Sequence, residues 1–257
     1  MGLKVKVRVK VLRKMNKTSE YKFTIIVPVF NEEDNMERIE KTLCEYMAKS
    51  SVKTCTLFVN DGSTDNSQAC IDAICQRHDN CFSIKFKKNV GLSGAIKAGI
   101  DIAESELVGY IDADLQTDPN DFEKLLPFTA NYKLVTGIRA KRKDSVFKLM
   151  QSKIANGFRR MMTGDGATDT GCPLKIMHSD YAKRIPFFTG MHRFLPALIL
   201  LQEGGNFYET PVSHFPRIAG VSKYNLWNRL ISPFKDCFAY RWMKHRYINY
   251  NIEEANL

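Results

Sequence analysis

Asp112, Asp114 and Gln116 stand at alternating positions in Asp112-Ala113-Asp114-Leu115-Gln116, at the end of the apolar run 107–111. In an extended segment, residues i, i+2 and i+4 share a face. The spacing therefore predicts three oxygen-bearing side chains side by side, a set that suits a hard divalent cation such as Mg2+ or Mn2+. The alternative for the same residues is an Asx-turn leading to a helix cap. Asp118-Pro119 fits that structural role as an N-cap and N1 pair. Two further polar clusters follow apolar runs: Asn31-Glu32 after residues 23–29, and Asn60-Asp61-Gly62-Ser63 after residues 56–59. The second is also an ordinary β-turn signal.

Strands and helices must position these clusters. β-branched and apolar runs predict strands over 23–29, 56–59, 83–86, 107–111 and 133–138. Between them, Met36, Ile39, Leu43, Tyr46 and Met47 recur at helical spacing behind the acidic turn Glu32-Glu33-Asp34. Asp65 can cap the next helix, and Asn89-Val90-Gly91 leads into a third, ending near residue 104. Alternation of this kind implies βαβ units with right-handed crossovers. The fold class is α/β, Rossmann-like, with a mostly parallel central sheet flanked by helices. Ligands of such sheets bind outside the carboxyl ends of the strands, so the three clusters are expected to converge on one rim.

The pattern changes after Arg139. A basic loop (Arg139, Lys141, Arg142, Lys143) precedes an amphipathic helix expected over 146–162, on which Lys148, Ser152 and Asn156 share a face. Such a face also fits a merely solvated helix. The chain then mixes short segments with Pro and Gly, and ends in a basic, aromatic stretch over 227–250.

Lys and Arg number 38 against 28 acidic residues, a formal charge of +10. That balance points to a polyanionic partner: nucleic acid, anionic lipid or a phosphate-bearing substrate. The 7 cysteines are odd in number and form no CxxC pair, so they are expected to be reduced core thiols of a cytoplasmic protein. No stretch reaches the ~18–20 apolar residues that span a bilayer; the longest, 194–201, contains Pro196. No secretory signal is visible. Residues 1–21 are expected to be a disordered basic leader, with a basic edge strand as the alternative, because Val5, Val7, Val9 and Val11 alternate with Lys or Arg.

The stretches Ile26-Val27-Pro28-Val29-Phe30-Asn31-Glu32-Glu33, Asn60-Asp61-Gly62-Ser63-Thr64-Asp65, Asn89-Val90-Gly91, Asp112-Ala113-Asp114-Leu115-Gln116 and Arg217-Ile218-Ala219-Gly220-Val221-Ser222-Lys223-Tyr224 carry a resemblance. The chain resembles glycosyltransferase family 2, in its dolichyl-phosphate mannosyltransferase and polyprenyl-phosphate glycosyltransferase branch. The resemblance covers residues 22–225 and implies a GT-A fold and inverting transfer of a sugar from a UDP- or GDP-linked donor to a polyprenyl or dolichyl phosphate. It implies that Pro28, Phe30, Glu32 and Asp61 surround the nucleotide, with Asp112 and Ser222 also on the donor. It assigns Asp112, Asp114 and Gln116 to Mg2+ or Mn2+, and Arg217, Ser222 and Lys223 to the donor diphosphate. Asp114, Arg217, Lys223 and Asp169 form the catalytic set it suggests. A metal bridging carboxylates and phosphates would stabilise the departing oxygen.

On the acceptor side the resemblance points to Lys148 and Ser152, with Arg139 or Arg142 sharing the lipid phosphate. Lys148 replaces an Arg of similar enzymes and loses bidentate geometry. His192 and Arg193 match a His-Arg pair of bacterial lipid-phosphate transferases. Asp169 stands where hydroxyl-glycosylating members keep a general base, which a phosphate acceptor does not require. Many relatives carry transmembrane helices after the catalytic domain. The 226–257 extension, with Trp227, Leu230, Ile231, Phe234, Phe238, Tyr240 and Trp242 among its cations, instead predicts an amphipathic helix on an anionic membrane surface, or aromatics packed on the core. The protein is accordingly expected to be peripheral on the cytoplasmic membrane face or to meet an integral membrane partner. The competing readings are a soluble glycosyltransferase acting on a saccharide or protein hydroxyl, and a nonenzymatic nucleic-acid-binding protein.

Overall fold

The computed structural model describes residues 17–139, 157–216 and 226–249, with the side chains of the last segment described from Pro233 onward. Seven strands form one sheet: β1 Phe23–Val29, β2 Thr54–Asn60, β3 Cys81–Lys85, β4 Leu107–Tyr110, β5 Leu134–Arg139, β6 Lys175–His178 and β7 Phe207–Val212. Their order is β3-β2-β1-β4-β6-β5-β7. β6 is antiparallel to both its neighbours, and every other pairing is parallel.

The first five strands lie where the sequence predicts them, within two residues at either end. β1 and β2 are buried at every position, as strands covered on both faces should be. Pro28 is tolerated in a central strand because of register. Ile26 accepts a ladder bond from Ile111, so even-numbered residues of β1 face β4, and that pairing ends at Ile26 opposite Tyr110. The missing N–H of Pro28 falls beyond the last rung. Beyond that point β1 continues along β2 while β4 diverges, which opens the sheet between the ends of β1 and β4.

The helices are α1 Met36–Met47, α2 Ser67–Arg77, α3 Leu92–Ile102, α4 Phe122–Leu125, α5 Ser179–Arg184, α6 Leu195–Leu200 and α7 Leu226–Lys244, with a further helical stretch over 157–163. α1 buries Met36, Ile39, Leu43, Tyr46 and Met47, the five residues its periodicity picks out. They join α2, Phe122 and the odd-numbered residues of β1 in a core on one face of the sheet. Ile26, α3, α6, Cys237 and Tyr240 form the core of the other face. Gly99 of α3 lies directly over Ile26, and a Cβ there would meet that side chain at 2.6 Å.

Two expectations change. The extended Asp112–Gln116 geometry is replaced by a turn, because Leu115 donates back to Asp112 O at 3.2 Å and itself adopts φ 47°. The leader expected over 1–21 is anchored at Thr18: Thr18–Glu20 form a 3-10 turn, and the buried Thr18 hydroxyl accepts from Glu104 N at 3.0 Å. Of the helix expected over 146–162, residues 157–162 are helical and the rest lies outside the described residues. β6 and β7 are strands that the sequence reading did not contain.

Candidate active site

The three polar clusters do meet on one rim. The sheet reverses its winding between β1 and β4, the switch point where open α/β sheets bind ligands. Pro28, Phe30 and Glu32 lie at the end of β1, and Asp112, Asp114 and Gln116 at the end of β4. Glu32 Oε2 accepts from Asn35 Nδ2 at 2.7 Å, and the Glu32 N–H donates to Ser67 Oγ at 3.0 Å. Asn31 and Leu115 are the two non-glycine residues with positive φ among those described, 52° and 47°. Left-handed backbone at such residues costs of order 1 kcal/mol and gathers at functional loops. Asn31 is held there by Thr64 N–H, which donates to its Oδ1 at 2.8 Å.

Asp61 is fully engaged by the neighbouring loop. Its carboxylate accepts from Val90 N at 2.7 Å, Gly91 N at 2.8 Å and Asn89 Nδ2 at 2.9 Å. It fixes the entry to α3, so the turn role and proximity to the crevice coexist.

The Asp112–Gln116 stretch adopts the turn alternative of its sequence reading. Asp114 is 8% exposed, and its Oδ1 accepts from Gln116 N at 3.1 Å in an Asx-turn. Asp118 accepts from Asn120 N at 2.9 Å and caps the 3-10 turn before α4. Arg38 of α1 reaches across to donate to Asp114 O, while its Nε is buried without a hydrogen-bond partner. Two carboxylates and an amide oxygen form a hard, all-oxygen set that suits Mg2+ or Mn2+. No group of three His, Cys, Asp or Glu side chains able to hold a metal is present among the described residues. A cation here would therefore draw most of its ligands from phosphate and water, as Mg2+ commonly does.

Gln116 ties the motif to the strand across the sheet. Its carbonyl accepts from Phe215 N at 2.8 Å, and its Nε2 donates to Phe215 O at 3.4 Å. The chain thus passes the motif just before Arg217. Arg217, Ser222 and Lys223 lie outside the described residues, as do Arg142, Lys148, Ser152 and Asn156.

Arg139 ends β5 on the same rim. Its Nε and Nη2 each donate to the Asp169 carboxylate at 2.8 Å, and its backbone N–H does so at 3.1 Å. Gly171 N supplies a fourth donor at 3.2 Å. Burial alone would raise the Asp169 pKa, but the Arg139 guanidinium outweighs it and holds the carboxyl down to about 2. His192 is placed by α3: Ser93 Oγ accepts from Gly190 N at 3.0 Å and lies 2.7 Å from His192 Nδ1. Burial, helped by Arg193, lowers the His192 pKa to about 3 and keeps it neutral.

Several residues were missed from sequence. Lys175 is completely buried in β6; its Nζ donates to the Cys172 and Thr170 carbonyls and sits 5.5 Å from the Tyr110 ring centroid. Burial lowers its pKa, and the nearby Cys172, Asp169 and Asp112 oppose that shift. Glu209 of β7 accepts from Thr168 N at 2.8 Å and Asp169 N at 3.2 Å. His214 stands beside Phe215 where β7 returns to the motif. The available signal was a lone lysine in the apolar run Cys172–Met177.

The model of glycosyl transferase family 2 matches residues 24–186. A dodecaprenyl-phosphate galacturonate synthase from Rhizobium johnstonii is 31% identical over 208 residues, 79% of this chain and 62% of that protein. An undecaprenyl-phosphate 4-deoxy-4-formamido-L-arabinose transferase from Edwardsiella ictaluri is 31% identical over 79% of this chain and 63% of its own length. The chain thus spans less than two thirds of these curated relatives. Among solved structures, a mannosyltransferase from Pyrobaculum calidifontis in complex with GDP-Man and Mn2+ superposes with a TM-score of 0.59 at 16% identity, covering 92% of this chain and 77% of that one. Glucosyl-3-phosphoglycerate synthase from Mycobacterium tuberculosis, in complex with Mg2+ and UDP, gives 0.62 at 10% identity, over 91% and 83%. These two likenesses are of fold.

Proposed function

The chain belongs to glycosyl transferase family 2 and has the GT-A fold, and on that premise we propose that it is an inverting glycosyltransferase that moves a sugar from a UDP- or GDP-linked donor to a polyprenyl or dolichyl phosphate. The observation that carries this reading is the rim itself. Phe30, Glu32, Asp112, Asp114 and Gln116 meet at the β1/β4 switch, and Arg139 ends a strand on the same edge.

Pro28, Phe30, Glu32 and Asp61 border the nucleotide in this reading, and Arg217, Ser222 and Lys223 hold its diphosphate. Asp112, Asp114 and Gln116 would hold Mg2+ or Mn2+, which supplies charge neutralisation of the leaving diphosphate when bound. Arg139 faces the acceptor phosphate, with Lys148 and Ser152 beside it. A phosphate monoester has its second pKa near ~6 and is already a nucleophile at neutral pH. No base is needed, and a carboxyl with its pKa at about 2 and four N–H donors is poorly suited to be one. Asp169 is read instead as the group that orients Arg139.

Residues 22–225 form the catalytic unit in this reading, with 1–21 as a leader and 226–257 as a membrane-facing extension. No helix among the described residues is long and apolar enough to cross a membrane. The protein is read as peripheral on the cytoplasmic membrane face, alone or with an integral membrane partner.

The test is transfer by purified protein, with Mn2+ or Mg2+, from labelled UDP- and GDP-sugars to short polyprenyl phosphates. Label entering the organic phase and lost on chelation is the expected result. Donor turnover with label passing only to saccharide or protein hydroxyls overturns the acceptor assignment.

A further inference from the structure

Residues 157–163 and α7 together present a face on which Phe158 packs against the core below it while Met161, Phe234, Phe238 and Trp242 stay exposed above. α7 has an inner stripe and an outer one. Cys237 and Tyr240 are buried, and the Tyr240 hydroxyl donates to Ala197 O at 3.2 Å. On the opposite stripe, at i, i+4 and i+8, Phe234, Phe238 and Trp242 are 49%, 52% and 65% exposed. Phe158 stacks on Phe234 with centroids 4.8 Å apart, and Phe238 meets Phe234 edge-on at 5.1 Å. Met161, close to Phe158 in the same helical stretch, is 68% exposed. Single exposed apolar residues are ordinary, but a contiguous raised group marks an interaction surface.

Charge selects the partner. Between residues 226 and 249, Asp236 is the one acidic residue against Arg229, Lys235, Arg241, Lys244 and Arg246. Arg246 lies 5.3 Å from the centroid of the Trp242 ring, and with Arg184 these residues line a shallow groove of about 330 Å3. Residues 140–156 carry Lys141, Arg142, Lys143, Lys148 and Lys153 against Asp144, so their charge does not complement this face. A second copy of a chain with a charge of +10 does not complement it either. An apolar layer beneath an anionic surface does, and an acidic phospholipid bilayer has that structure.

We propose that this two-segment face seats the protein on an anionic bilayer, with Met161, Phe234, Phe238 and Trp242 at the boundary between headgroups and acyl chains and the cations on lipid phosphates. The proposal rests on the lipid-linked acceptor reading and deepens it. Loop 164–172 leads from the end of the 157–163 stretch to Asp169, which holds Arg139 on the rim. A docked face thus connects directly to the edge where the acceptor phosphate is read to bind.

The test is flotation of the full chain with phosphatidylcholine vesicles, with and without phosphatidylglycerol, for wild type, the double variant Phe238→Ser/Trp242→Ser, and Lys235→Glu/Arg241→Glu. Tyr240 and Cys237 remain in both variants, and an unchanged melting temperature checks the fold. Wild type is expected to float only with the acidic vesicles and less so at high salt. Either variant should lose affinity on the order of a hundredfold, with donor hydrolysis and nucleotide binding unchanged. Equal flotation of wild type and variants, or none by wild type, overturns the proposal. So does a wild-type dimer in sedimentation that the variants dissociate, or an RNA affinity that the variants lose. Vesicle binding without transfer to any polyprenyl phosphate removes the enzymatic reading and leaves the face standing. Transfer without vesicle binding removes the face alone.

Discussion

The two sides of the rim are held by different means. At the ends of β1, β2 and β4, each polar cluster follows its strand immediately and is fixed largely by backbone donors. Asp61 accepts from Val90 and Gly91 N–H, Asp114 from Gln116 N–H, and Asn31 from Thr64 N–H. On the side of β5, β6 and β7, loop 164–172 is held by charged side chains from four separate places. Arg159 pairs with Asp165 and donates to Ala167 O at 2.6 Å, Arg139 takes Asp169, Glu209 takes two backbone N–H groups, and Lys175 takes two carbonyls. Backbone donors do not titrate and cannot be mutated away. Buried charges do both, and removing one partner strands the other. The first side should therefore tolerate substitution in its fold and lose chemistry, while the second should lose stability first.

Asp114→Ala is the sharpest test of the first half of that contrast. Transfer, or donor hydrolysis where no acceptor is supplied, should fall by at least about 1,000-fold in kcat/KM. The urea midpoint should stay near that of wild type, and a collapse of the midpoint would break the contrast. Asp169→Asn should do the reverse, costing roughly 3 kcal/mol in urea unfolding because it leaves the Arg139 charge buried and unpaired. Its folded pKa, about 2, lies below the ordinary 3.8. Its carboxylate thus contributes stability fully above the unfolded value, and loses it as pH falls from 3.8 toward 2. The gap between wild type and Asp169→Asn should close over that window.

Arg38→Met separates scaffold from chemistry within the first side. It should weaken Mn2+-dependent UDP or GDP binding about tenfold by calorimetry, since a charge-assisted bond to Asp114 O is lost. Arg38→Lys should recover part of it, and the melting temperature should move little. Unchanged binding in Arg38→Met would mean that the left-handed turn at Leu115 holds without it. The smallest effect at neutral pH is expected at His192, whose pKa falls from 6.5 to about 3 in the fold. The unfolded chain takes up a proton below pH 6.5 that the folded ring refuses, so stability drops with acidification, by about 1.4 kcal/mol per pH unit at most. His192→Asn should flatten that slope in pH-dependent urea titrations.

Much of the β1, β2 and β4 side was legible because its signals are local. A strand buried on both faces must be continuously apolar, and a polar cluster at its end must lie on the rim once the strands are parallel. The periodicity of α1 named its buried residues without error for the same reason. Asp112–Gln116 show the limit. Their types were informative, but the expected extended face gave way to a turn set by Leu115 and tied to Arg38, 76 residues away. β6 is four residues long, holds a buried lysine and runs antiparallel between β4 and β5 with no short turn to either, so no local pattern marks it. β7 is a half-exposed edge strand containing Pro211, which weakens the strand signal further.

By itself, then, the sequence determined the α/β class, the rim on which its polar clusters lie and the family it resembles, because those follow from periodicity and from motifs contiguous along the chain. Only the tertiary structure decided that Asp169 clasps Arg139, that Lys175 is a buried cation beneath loop 164–172, and which aromatics of α7 turn outward. Each of those depends on groups brought together across the sheet or between packed helices, where the cost of burying a charge or exposing a ring is settled by neighbours distant in sequence.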